Sequence, residues 1–229
     1  MTLSACESTQ QESEKIGREG KQPTAGGGSL KLGAVNHGVR VSDVTLLSSA
    51  GRTAVAAKLT GTATRPQLDL PVLVEVTGAH GKVSYSNETG GLEASLQRMA
   101  LLRPGQGEWW VDDQVLASQS AVGVKLRVGT GSTPRAGSAP ATLSTTAPHV
   151  TEQGGLSVVS ADLVNHSAKA QGKVPVFAVA VRGGRVVAAG RAVVGVLPGH
   201  PGASVPFQIF LVGNATGASI ELTAVPTAA

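Results

Sequence analysis

The sequence predicts an all-β protein built as two tandem antiparallel sandwiches behind a polar N-terminal tether. Three observations predict it. Hydrophobic residues make up 41% of the 229 and charged ones 15%, too apolar for a disordered chain and too interrupted for a membrane-spanning one. The 30 Gly and 12 Pro leave few stretches long enough for a helix. Aromatics are only 3%, so the apolar content is small and aliphatic, which suits sheets facing each other about 10 Å apart. The third observation is that the strand-like text occurs twice.

In order, the chain opens MTLSACESTQQESEK with its single cysteine at position 6. One cysteine excludes an internal disulfide, and Glu7 to Lys21 is almost wholly polar, with no core to bury a thiol. Residues 6–29 read as a tether that ends in PTAGGGS. Residues 30–130 form the first expected sandwich: Val39, Val41, Val44 to Leu47, Val55, Ala57 and Leu59 alternate as half-buried strands do. LPVLVEV (70–76) is a further strand, and GAHGKVSYS a turn entering the next. Residues 131–148 (GSTPRAGSAPATLSTTAP) read as a connector, and residues 149–229 as the second sandwich.

Setting residues 54–77 over 158–181 without gaps carries the repeat. Val55 falls on Val159, Leu59 on Leu163, and Leu70-Pro71-Val72 on Val174-Pro175-Val176. A Gly-basic turn follows in each copy (Gly81-Lys82-Val83, Gly184-Arg185-Val186), then a Pro-Gly turn (Pro104-Gly105, Pro198-Gly199). The next strand sets Trp109 and Val111 against Val205 and Phe207, and VKLRV and IELTAV close the copies. Copy one carries an insertion, SNETGGLEASLQRMA, expected as a short helix or loop excursion.

Two resemblances follow from these residues. Leu3-Ser4-Ala5-Cys6 resembles the lipobox of bacterial lipoproteins. That resemblance implies a diacylglycerol and palmitoyl lipid on Cys6, cleavage just before it, and residues 1–5 as the remnant of a signal peptide. Two chains suffice for durable attachment, whereas one acyl chain binds only reversibly. A signal peptide needs a basic start and an apolar stretch of about 7–15 residues, so the expected start lies upstream of Met1. The order of strands and turns, spanning both copies, is similar to immunoglobulin-like sandwich modules of the FxLYD type found in actinobacterial and other bacterial surface lipoproteins. It implies an envelope-associated role at the extracytoplasmic face of the cell membrane.

Positive and negative residues number 19 and 15, scattered, with no interleaving of basic and aromatic residues that a nucleic-acid surface would want. A mildly basic surface suits a membrane of anionic headgroups, a cell-wall polymer or an envelope protein. No G-x-S-x-G and no phosphate-binding loop occurs, and the five histidines never fall at metal-ligand spacing. Neither an enzyme, a metal nor a cofactor is therefore expected. One stretch carries a candidate contact site, GEWWVDD. In one reading Trp110 with Glu108, Asp112 and Asp113 forms a sugar or peptide platform, as in a ligand-binding lipoprotein serving a transporter. In the other, Trp109 and Val111 enter the core, Trp110 points outward and the acids occupy the next turn. The three N-x-S/T asparagines, Asn87, Asn165 and Asn214, read as turn chemistry.

Overall fold

The structure, a computed structural model, describes residues 30–88, 92–117, 121–135 and 140–227. It is all β. In chain order the strands are β1 (Val39–Ser49), β2 (Arg52–Gly61), β3 (Gln67–Gly78), β4 (Val83–Ser86), β5 (Arg98–Leu102), β6 (Gly107–Asp112) and β7 (Ala121–Val128). There follow β8 (Leu143–Thr145), β9 (His149–Gln153), β10 (Leu156–Asn165), β11 (Gln171–Arg182), β12 (Arg185–Leu197), β13 (Ala203–Phe210), β14 (Val212–Gly213) and β15 (Ser219–Ala224). The lipobox, Cys6 and the tether lie outside the described residues.

Every pairing between strands is antiparallel, and the two halves repeat each other in register. In the first module β2 pairs with β1 and β6, and β3 pairs with β4, β5 and β7. In the second, β10 pairs with β8, β9 and β13, and β11 pairs with β12 and β15. Leu59 faces Val41 as Leu163 faces Thr145, and Leu46 faces Val55 as Val150 faces Val159. Val72 faces Val128 as Val176 faces Ala224. β8 lies inside the stretch read as connector: its Thr145 takes Val41's place, but Ser/Thr/Pro-rich text hides so short a strand. The insertion also acts as expected. β12 runs unbroken, whereas its counterpart is split into β4 and β5 by residues 87–97, whose described part includes a 3₁₀ turn, Ala94–Leu96.

The two modules pack face to face. Ala56, Trp109 and Val111 of the first join Phe177, Val179, Ala189 and Val225 of the second in one hydrophobic cluster. The second module keeps its own core of Val159, Leu163, Val176, Phe207 and Ile209. The result is four stacked sheets, with those of β2 and β11 inside. Central strands buried on both faces lose the alternation of a half-exposed strand, which is why β2 reads TAVAA and β11 reads VPVFAVAV. Gly190 fits this crowding: a Cβ there would sit 2.3 Å from the Phe210 carbonyl oxygen.

Candidate functional site: the seam between the modules

β6 carries every candidate residue of GEWWVDD or ends beside it, and both of its faces are covered. Trp109 and Val111 meet the second module; Trp110 and Asp112 enter the interior of the first. Ala57 pairs with Trp110 as Ala161 pairs with Phe207, so Phe207 corresponds to Trp110. The expected match of Val111 with Phe207 is off by one residue, and one residue reverses every side chain on a strand. Trp110 is fully buried, not outward. Asp112 and Asp113 are buried as well, at 0% and 5% exposure, and not in a solvated turn. Burial removes these three from a docked sugar or peptide. Glu108 is half-buried; loss of water raises its carboxyl pKa, opposed by Arg103, the Thr223 hydroxyl and Lys58.

Each buried acid has a specific partner. Tyr85 donates its hydroxyl to Asp112 Oδ2 at 2.6 Å, and the Gln114 amide donates to Oδ1 at 3.0 Å. Burial nevertheless pushes the Asp112 carboxyl up to about 6, against the pull of Tyr85 and Arg191. It drives the Tyr85 phenol up as well, with Asp112 adding to the shift. Asp113 crosses the seam: the Arg191 amide donates to its Oδ2 at 3.1 Å, and the guanidinium Nε stands 3.4 Å from Oδ1. Both side chains are essentially excluded from water. Desolvation raises the Asp113 pKa and lowers that of Arg191, each held in check by the other's charge. Arg191 Nη1 also donates to Ser95 Oγ at 2.5 Å, so the insertion of copy one clasps the second module.

At the other end of β6, the Trp109 amide donates to Thr223 Oγ1 at 3.2 Å, and its indole Nε1 donates to Glu221 Oε2 at 2.8 Å. Lys58 lies 5.3 Å above the same ring and 3.8 Å from Glu221. Among the described residues, clefts open along the seam. One, of about 520 Å³, is lined by Asp43, Lys58, Trp109, Val181, Arg185 and Glu221. Another, of about 460 Å³, is lined by residues including Asp69, Glu93, Arg98 and Lys173. Sequence reasoning missed Arg191, although a lone charge inside VVAAGRAVVGV is a signal: a buried cation needs a partner.

Asn165 and Asn214 form the expected side-chain turns; Asn87 does not. Asn165 Oδ1 accepts from the Ser167 amide and hydroxyl, and Asn214 Oδ1 from the Thr216 amide. Asn87 is fully buried; it takes the Val74 amide and gives to the Val72 and Leu96 carbonyls, stitching the insertion to β3. All five histidines are exposed. Among the described residues no three His, Cys, Asp or Glu gather as metal ligands would, and no helix is long and apolar enough to cross a membrane. No known family model matches the chain, and no curated protein matches it.

Proposed function

We propose that this chain is a lipid-anchored, non-enzymatic binding or structural module of the bacterial envelope, held by Cys6 on the extracytoplasmic face of the cell membrane. The observation that carries it is the lone cysteine placed after Leu3-Ser4-Ala5 and before a polar stretch. Support also comes from what the buried charges do. Tyr85, Asp112, Asp113 and Arg191 are spent on one another, a use that stabilises a body and leaves none of these four free for acid–base work. Metabolic labelling with radioactive palmitate tests the anchor: label should appear in the protein and vanish in Cys6→Ser, which should also leave the membrane fraction. An unlabelled protein, with Cys6→Ser fractionating as the parent does, overturns it.

A second reading, a solute- or polymer-binding lipoprotein serving a transporter, is favoured by the cleft beside Trp109. On this reading a ligand changes tryptophan fluorescence and Lys58→Ala weakens its binding. A glycan and metabolite array with no hit and no fluorescence change argues against it.

A further inference from the structure

We infer that the end of the first module from which the chain leaves toward Cys6 is a docking face for an anionic bilayer surface. The inference rests on the lipid-anchor reading and adds the orientation in which the body sits. Four segments meet at this end. Gly38 accepts from the Thr62 and Ala63 amides, and the Gln67 side chain donates to it. Asn36 donates to Gln67 and to the Gly129 carbonyl. Gly105 donates to Gly61, and Thr130 to Ala34. The segments 30–40, 60–68, 103–107 and 128–135 thereby form one surface.

Their charges are of one sign. They contribute Lys31, Arg40, Arg65, Arg103 and Arg135, and no aspartate or glutamate. Lys31, Arg40, Arg65 and Arg135 are exposed, and Arg103 is half-exposed with one Nη2 bond to the Ala141 carbonyl. Among the described residues the ion pairs of the chain are formed elsewhere, by Lys58, Arg98, Arg127 and Arg191. Of the carboxylates that adjoin these segments, Asp69 pairs with Arg98 at 3.0 Å, and Glu108 is half-buried and feels Arg103 of this set.

Position selects the occupant. The described chain begins at Leu30, two residues before Leu32, whose carbonyl lies against Gly129 at this end; residues 7–29 separate Leu30 from Cys6, a contour of at most about 80 Å at ~3.5 Å per residue. A tether of that length limits distance from the bilayer without fixing which face turns toward it. Unpaired cations at the attachment end do fix it, because anionic headgroups attract basic groups only within about a Debye length. Lipid chains and a basic patch together make the two-signal attachment of peripheral proteins.

The test uses the full chain made without acylation, sedimented with phosphatidylcholine vesicles and with vesicles that also contain phosphatidylglycerol. Retention is expected on the anionic vesicles only, and it should fall as salt is raised. Arg40→Glu/Arg65→Glu should lower the partition by about tenfold or more. Lys82→Glu/Lys125→Glu makes the same charge change away from this end, on the turn beyond β3 and midway along β7, and should alter it by less than about twofold. If the glutamate pair fails to fold, Arg40→Gln/Arg65→Gln replaces it, with a smaller loss expected. Equal retention on neutral vesicles, equal loss in both charge-reversed proteins, or tighter retention by a soluble teichoic-acid polyanion than by anionic vesicles overturns the inference. None of these outcomes touches the palmitate result at Cys6, so the two readings fail separately.

Discussion

Asp112 is a carboxylate enclosed by its own module, and its pKa of about 6 ties stability to pH. A raised carboxyl pKa means the folded protein holds its proton more tightly than the unfolded chain does. This contribution is therefore complete below about pH 4 and is lost as pH rises through about 6, on the order of 3 kcal/mol from this group. In Asp112→Asn the amide can donate to Tyr85 while its oxygen keeps the Gln114 bond. Urea unfolding from pH 4 to 7 should show the parent losing stability over this window and Asp112→Asn losing measurably less; equal slopes would contradict the assignment. Arg191 and Asp113 pose the complementary case. Arg191→Ala strands a buried carboxylate and should cost about 3–5 kcal/mol, and Arg191→Met with Asp113→Leu should recover more than half of it. Chemical denaturation of the three proteins checks both. At this scale the turns at Asn165 and Asn214 were legible, because Asn-x-Ser/Thr states its own hydrogen bonds; the buried role of Asn87 was not. Trp110 was not, because β6 is covered on both sides and its residues no longer alternate in polarity.

Among elements, the repeat was legible to the residue in β2 and β3, where pairing sets Val55 against Leu46 and Val159 against Val150. It slipped at β6, since Leu102 to Trp110 spans fewer residues than Leu197 to Phe207 and the eye aligns the Pro-Gly turns first. The repeat also exposes a shared irregularity. Asp69 and Lys173 occupy the same position in the two copies, and both are left-handed, at φ 55° and 52°. Each interrupts its strand just before the Leu-Pro-Val or Val-Pro-Val stretch. A non-glycine residue there is strained by roughly 1–2 kcal/mol. Lys173 makes no ion pair among the described residues, so Lys173→Gly should raise stability by up to about 1 kcal/mol. Thermal melts read this directly; a lower midpoint would mean that the lysine stem does more than line its cleft.

For the whole molecule, comparison of equivalent positions separates the faces buried in the seam from the outer faces. Ala56 and Val111, buried in the seam, correspond to Ser160 and Gln208 on the outer face of the second module. Val179 and Ala189 correspond to Glu75 and Ser86 on the outer face of the first. Docking of unlike faces between copies would otherwise propagate into a filament; polar outer faces oppose that. Sedimentation velocity should accordingly show a monomer at all concentrations tested. None of this seam was read in advance, because VPVFAVAV describes a strand covered on both sides without naming what covers it. The account stands on the two sandwiches forming one body across β2, β6, β11 and β12, and scanning calorimetry of the chain tests that most directly. One transition with equal calorimetric and van't Hoff enthalpies, moved as a whole to lower temperature by Arg191→Ala, is the predicted result. Two transitions, only one of which responds to Arg191→Ala, would contradict it.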